Sequence, residues 1–458
     1  MKVGRYSTHP IHGGFVRSVG LLVGGTTFAH AISALALPVL TRLYAPSDFS
    51  MLAIFSSLVS IIAVGACLRF DVAVSIPEKD ADAVNILALA LACVTLVSAL
   101  LAIAVLSFPQ RVVVWLNHPS LERHLWLFPM GVMLAGCYSA LQFWFVRRMG
   151  FGLIARTRVG QSVVSAGTQV GLGSLGTAPT GLLIGYILNP AVACIVFGYR
   201  ILQIDCDALR AVSWPRMRAL FTEYIRFPKY STVEALSNSA AIQVPIIIIA
   251  ALAIGPEAGY LMLAMQVMQA PMALIGVSIG QVYLSRAPDE YRAGRLGVFT
   301  ADTFGGLIKT GVGPLVFVGI VSPNAFAVIF GDEWQRAGFL VLWMTPWFVV
   351  QFLASPISMA LHVTSRQRAA LALQVFGLIL RVGAILGASV FAINILAEVY
   401  ALSGFVFYLV YLMVVMRVIA ARPSDVARGI RGGISIVVMW VVGGCAVALT
   451  INTINLLK

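Results

Sequence analysis

Residues 84–107 read VNILALALACVTLVSALLAIAVLS, a run without a single charge. As an α-helix it is about 36 Å long, enough to cross a hydrocarbon core of about 30 Å. Runs of the same kind recur along the chain at 15–40, 49–68, 121–146, 157–177, 180–200, 231–253, 259–283, 302–322, 336–361, 369–391, 396–416 and 434–457. The whole is 60% hydrophobic and 11% charged, against about 25% charged residues in a soluble domain. Water cannot be the solvent for that much apolar surface. The sequence predicts thirteen membrane-spanning helices.

The basic residues orient them. With the N-terminus in the cytoplasm, 24 of the 31 Lys and Arg fall in cytoplasmic segments. Five face the other way: Arg42, Arg111, Arg123, Arg336 and Lys458. Lys309 and Arg381 lie within apolar runs. An asymmetry of this size predicts an N-in orientation. It also accounts for the net charge of +13 through contact with anionic phospholipid at the cytoplasmic face, so no nucleic-acid partner is needed. The first run follows a short basic tail, as a signal peptide does. It exceeds the h-region of about 7–15 residues and lacks a small-residue cleavage site, so a retained span is expected.

The longest loop, at about 201–230, follows the sixth run and holds six basic residues counted with Arg200. It divides the chain into two groups of six spans with one left over. Because six is even, both groups begin and end on the same side, the arithmetic of a parallel repeat about an axis normal to the membrane. The expected fold is an all-α polytopic membrane protein. Its twelve-helix core forms two six-helix lobes related by a parallel pseudo-two-fold repeat, with one extra C-terminal transmembrane helix. The boundaries are 1–202 for the N-lobe, 203–230 for a basic cytoplasmic linker, 231–418 for the C-lobe and 419–458 for a basic loop and the extra span. Two turns, Tyr44-Ala45-Pro46-Ser47-Asp48 and Gly255-Pro256-Glu257-Ala258-Gly259, occupy matching places in the two halves. Prolines inside spans, Pro38, Pro190, Pro245 and Pro346 among them, bend their helices and suit either packing kinks or hinges.

Several motifs mimic chemistry. Gly171-Leu172-Gly173-Ser174-Leu175-Gly176 matches G-x-G-x-x-G, but it closes an apolar helix instead of following a strand. Asp80-Ala81-Asp82 and Asp205-Cys206-Asp207 are D-x-D pairs in loops too short for a nucleotide-binding domain, and read as solvated acids. His118 and His124 have no partner constellation. The six cysteines show no C-x-x-C spacing and read as packing residues. No catalytic centre, metal site or bound cofactor is expected.

Ionisable residues inside spans cost about 2.5–3.5 kcal/mol each on insertion scales, so they mark an interior or a wet cavity. Arg381 is deepest. Lys309, Asp302, Glu234 and His30 follow, and Gln243, Gln266, Gln269 and Gln281 add polarity near the seventh and eighth spans. This predicts a cavity with fixed positive charge, suited to an anionic substrate.

Leu37-Pro38-Val39-Leu40-Thr41-Arg42-Leu43-Tyr44-Ala45-Pro46-Ser47-Asp48-Phe49 resembles the first-hairpin signature P-x-L-T-R-x-Y-x-P-x-D-F-G of bacterial polysaccharide flippases, with Ser50 in place of the final Gly. Leu68-Arg69-Phe70-Asp71-Val72-Ala73-Val74-Ser75-Ile76-Pro77 is similar to their L-R-[FY]-[DE]-x-A-[IV]-x-x-P, and Phe330-Gly331-Asp332-Glu333-Trp334-Gln335-Arg336-Ala337-Gly338 to their F-G-x-x-W-x-x-A-G. Phe227-Pro228 opens a second half that is similar to theirs. The resemblance, over spans one to twelve, is to the Wzx-type polysaccharide transporters of the multidrug/oligosaccharidyl-lipid/polysaccharide flippase superfamily.

It implies a flippase of the bacterial inner membrane. Such a protein moves an undecaprenyl-diphosphate-linked oligosaccharide to the periplasmic leaflet by alternating access, driven by a proton or sodium gradient. A polysaccharide polymerase and a chain-length regulator are the implied protein partners. Motif position puts Arg69 and Asp71 at the cytoplasmic gate. On this reading Arg381, Lys309 and Arg69 bind the anionic substrate, and Asp71, Glu234, Asp302 or His30 binds the coupling ion or gates. The alternatives are a small-molecule exporter of the multidrug branch and a membrane polysaccharide polymerase or ligase.

Overall fold

The structure, a computed structural model, describes residues 11–116, 119–364 and 366–456. Lys2, Arg5, His118 and Lys458 lie outside them. Thirteen long helices carry the described residues, which contain no strand. They are α1 (Ile11–Leu43), α2 (Pro46–Ala66), α3 (Asp80–Ser107), α4 (Leu127–Arg147), α5 (Phe151–Ser174), α6 (Thr180–Ile204), α7 (Thr232–Leu252), α8 (Glu257–Arg292), α9 (Leu296–Phe330), α10 (Gln335–Ile357), α11 (Gln367–Phe391), α12 (Leu396–Val418) and α13 (Pro423–Leu456). All thirteen expected spans are matched by a helix, but several ends move. The ninth runs six residues earlier and eight later than its apolar core. The thirteenth starts at Pro423 instead of 434, because a helix can carry Arg428 and Arg431 once its basic end reaches water.

The two halves pack alike. In the first, α5 lies on α1 and α6, α4 lies on α2 and α6, and α3 lies on α4. Adding six to each label gives α11 on α7 and α12, α10 on α8 and α12, and α9 on α10, and all five pairings are present. Across the halves, α2 packs on both α7 and α8, and α1 packs on α8. The protein is thus a bundle of two six-helix lobes in parallel repeat, with α13 added against the outside of α9.

Eleven helices among the described residues are long and apolar enough to cross a membrane. The two that fall short, α5 and α8, are among the seven helices that line the interior cavity described below. Outward faces are apolar: Leu96, Leu100 and Ile103 form one exposed stripe on α3, a surface matched to hydrocarbon. The protein is a multi-pass membrane protein.

Two prolines leave a local signature. Pro314 follows a π-helical turn at Ile308–Val312 in α9, and Pro228 sits in another at Phe227–Ser231 that leads into α7. A proline lacks the donor for the usual ladder, and a wider turn absorbs the mismatch.

Candidate functional site

A cavity of about 1120 Å³ lies between the lobes. The N-lobe lines it from α1, α2, α4, α5 and α6, and the C-lobe from α8 and α10. One end is closed by the face that carries the α1–α2 turn. There Trp334 donates its indole N–H to the Thr41 carbonyl at 2.9 Å and meets the Phe49 ring edge-on at 4.8 Å. The backbone N–H of Gly259 donates to Ser50 Oγ at 2.8 Å. Gly259 approaches Pro46 so closely that any Cβ would collide with its carbonyl oxygen. The side chain of Ser50, where the flippase signature has glycine, therefore serves as a joint between the lobes. Away from that seal, the lining continues along α8 to Gly280 and along α10 to Pro356, with Met359 just past its end, toward the face that carries the basic loops.

The two lobes also meet along α2 and α7. Ser57 donates to Gln243 Oε1 at 3.0 Å, and Leu236 packs on Gly65. The G-x-G-x-x-G run has a packing role beside the seal. Tyr44 donates its hydroxyl to the Gln169 carbonyl at 2.7 Å, and its ring fills the space that side chains at Gly173 and Gly181 would need.

The cavity wall is polar but almost free of charge. Among the described residues that line it, His30 is the sole ionisable group apart from the phenols of Tyr138 and Tyr186. Gln169, Asn189, Gln266, Gln269 and Gln351 contribute amides, and Ser33, Ser56, Ser60, Ser165 and Ser355 contribute hydroxyls. This corrects the expectation of a cavity with fixed positive charge.

Arg381 is 4% exposed but sits inside the C-lobe, off the cavity. Its guanidinium lies 4.5 Å from the Phe407 ring centre, 5.6 Å from Tyr408 and 5.7 Å from Trp347. It donates weakly to the Ala241 carbonyl at 3.4 Å. Depth in the sequence does not tell a cavity wall from an aromatic cage. Lys309 is exposed in the π turn of α9 and reaches the start of α13 beside Gly432, so the turn points it away from the cavity. Arg69 is half-buried in a left-handed conformation (φ 60°) at the end of α2, also outside the lining.

Of the expected ion or gate residues, His30 alone lines the cavity. Glu234 and Asp302 are exposed, on helices that contribute nothing to the described lining. Asp71 is 3% exposed. It accepts a 2.6 Å hydrogen bond from Ser139 through Oδ2, while its Oδ1 is buried without a partner.

Three of the four D-x-D acids, Asp80, Asp82 and Asp205, are held in ion pairs where solvated acids were expected; the side chain of Asp207 lies outside the described ones. Asp80 pairs with Arg147 at 2.9 Å and Arg148 at 3.0 Å, and Asp82 with Arg216 at 2.7 Å. Asp205 takes Arg148 at 2.6 Å and the Trp144 indole at 3.0 Å. Together they lock the N-lobe's ends on the basic face. On the opposite face Arg336 holds Glu257 at 3.0 Å and Glu398 at 2.5 Å, tying α8, α10 and α12.

Sequence reasoning missed Arg158, which was counted as a loop cation. It lies in α5 and donates to Thr26 Oγ1 of α1 at 2.7 Å, one turn before His30. The signal was available: Arg158 lies inside the fifth apolar run.

A family model described as polysaccharide biosynthesis protein matches residues 39–338. No curated protein sequence matches. A solved structure titled as the lipid II flippase MurJ in an inward closed conformation is 12% identical, with a TM-score of 0.73 over 96% of this chain and 100% of that one. An inward-facing multidrug resistance MATE family transporter of the MOP superfamily is 14% identical, with a TM-score of 0.57 over 85% of this chain and 95% of that one. A MOP superfamily transporter from Pyrococcus furiosus gives 14% and 0.55, over 88% of this chain and 96% of that one. At such identities these likenesses show the fold alone, that of MOP superfamily transporters. The family match spans most of the chain, and the chain belongs to the polysaccharide biosynthesis protein family.

Proposed function

We propose that this protein is a flippase that carries an undecaprenyl-diphosphate-linked oligosaccharide from the cytoplasmic to the periplasmic leaflet of a bacterial inner membrane. The carrying observation is the cavity between the lobes, sealed at the turn face, in a member of a polysaccharide biosynthesis family. Its volume exceeds the roughly 300–1,000 Å³ of small-molecule pockets, as a multi-sugar head requires. The lipid tail remains in the bilayer.

The basic loops support a cytoplasmic N-terminus; in that orientation the sealed end is periplasmic. Alternating access then breaks the Trp334–Thr41 and Gly259–Ser50 joints and closes the opposite end. The moving bodies are 1–202 and 231–418, linked by 203–230. Arg158, beside His30, takes the diphosphate. Asp71, a buried carboxylate with one free oxygen, takes the coupling proton. Arg381 holds the C-lobe together and does not touch the substrate. A polymerase and chain-length regulator receive the product.

A multidrug exporter for organic cations needs carboxylates in its wall, and the described lining has none. The test is a strain depleted of the protein. Lipid-linked repeat units should remain in the cytoplasmic leaflet, sheltered from a glycosidase added to spheroplasts. Units digested by that enzyme would indicate a block after translocation, as for a polymerase.

A further inference from the structure

We infer that the substrate head held in the cavity is an uncharged saccharide, built of neutral hexoses or N-acetylhexosamines without uronic or other acidic sugars. This rests on the flippase reading and names the substrate class of that same cavity.

The first ground is charge. No Lys, Arg, Asp or Glu is among the described residues that line the cavity. Residues 271–285 of α8, some of whose side chains are not described, contain none either. The candidate cations sit off this wall: Arg381 in its aromatic cage, Lys309 at the surface, and Arg158 bonded to Thr26 Oγ1 between α5 and α1, outside the described lining. A sugar carboxylate brought in here would lose water and gain no counter-charge, which is strongly unfavourable.

The second ground is what the wall offers instead. Gln266, Gln269 and Gln351, from α8 and α10, make no hydrogen bond with other described residues. A primary amide both donates and accepts, as a sugar hydroxyl does, so the free amides match a polyol without selecting charge. The N-lobe supplies Asn189 and the rings of Tyr138, Tyr186 and Phe49 to the lining, and the C-lobe adds the ring of Phe352. Flat apolar faces interleaved with amides suit pyranose rings, which present C–H faces and hydroxyl edges. The diphosphate goes to Arg158, which is not part of the described lining, and the neutral wall is left to the sugars.

Two measurements on the full-length protein test the inference. In proteoliposomes, undecaprenyl-diphosphate bearing a neutral trisaccharide is compared with the same molecule oxidised to a uronic acid at C6 of its terminal sugar. Translocation of the neutral form should be at least tenfold faster. Equal rates, or a faster acidic form, overturn the inference. In detergent, thermal stabilisation by chitotetraose is compared with that by tetragalacturonate. Stabilisation by chitotetraose alone supports the inference; stabilisation by tetragalacturonate, or by neither, overturns it. This second arm does not depend on transport. If neither lipid-linked form crosses, the flippase reading falls and the binding arm alone decides the saccharide class. A positive control of specificity is Gln351→Lys, which should shift the neutral-to-acidic preference by tenfold or more toward the acid. An unchanged preference in a folded variant counts against the cavity as the selecting site.

Discussion

The guanidinium of Arg381 is held by rings, with no ion pair among the described residues and with Nε and Nη2 buried unpaired. Its contribution is packing plus cation–π attraction, the latter worth about 2 kcal/mol when desolvated. Arg381→Ala should therefore destabilise the purified protein by about 2–4 kcal/mol, read as a fall in its unfolding temperature in detergent. Arg381→Met keeps the volume and removes a buried charge, and should stay within about 1.5 kcal/mol of the parent. If both variants are fully stable yet inactive, the residue touches substrate after all. Asp71 is the opposite case, a buried carboxylate with one bonded oxygen and one orphan. Asn keeps an oxygen to accept from Ser139 but cannot take up a proton. Asp71→Asn should leave downhill transport in place while removing its acceleration by an imposed pH gradient in proteoliposomes. Retained acceleration would move the coupling proton elsewhere, with His30 the next candidate.

At the scale of elements, the seal on the turn face depends on one missing side chain. Any Cβ on Gly259 of α8 would collide with the carbonyl oxygen of Pro46, where α2 begins, and backbone there cannot yield without parting the lobes. Gly259→Val should hold that end open. In a background without native cysteines, a cysteine at Ser56 in the cavity wall should then react with an impermeant maleimide from the turn face, where the parent is protected. Unchanged protection would mean that the joint relaxes locally. The elements that build this seal were legible in the sequence, because turns such as 44–48 and 330–338 carry Pro, Gly and Trp at fixed places. The helices were legible too, since some twenty apolar residues in a row have few other uses. The cavity was not. Its amides and serines come from six helices, and nothing local distinguishes Gln351 on the cavity wall from Gln243 bonded between helices. Charge was the misleading guide. Arg381 looks exceptional along the chain, but the rings that shield it come from positions 347, 407 and 408 on other helices.

For the molecule as a whole, the pairing of helices within one lobe repeats in the other, and α13 stands outside that repeat. It meets α9 through small residues. Gly429 sits 3.0 Å from the position a Cβ on Gly305 would take, and Trp440 lies on Gly313 so tightly that no side chain fits there. Asn324 donates to the Ala448 carbonyl at 3.1 Å. None of these residues lines the cavity, and neither α9 nor α13 contributes to its described wall. The fit is therefore a membrane packing contact, built on close backbone approach, with no direct part in holding substrate. A chain ending at Arg422 should still insert, fold and be stabilised by chitotetraose to the same extent as the full protein. Its unfolding temperature should fall, because α9 then presents a grooved face with unmet contacts to lipid. Gly313→Leu should produce the same fall in the full-length chain by pushing Trp440 away. Loss of saccharide binding on truncation, with the fold intact by thermal unfolding, would show that α13 shapes the cavity from a distance and that the twelve-helix core is not a self-sufficient binding unit.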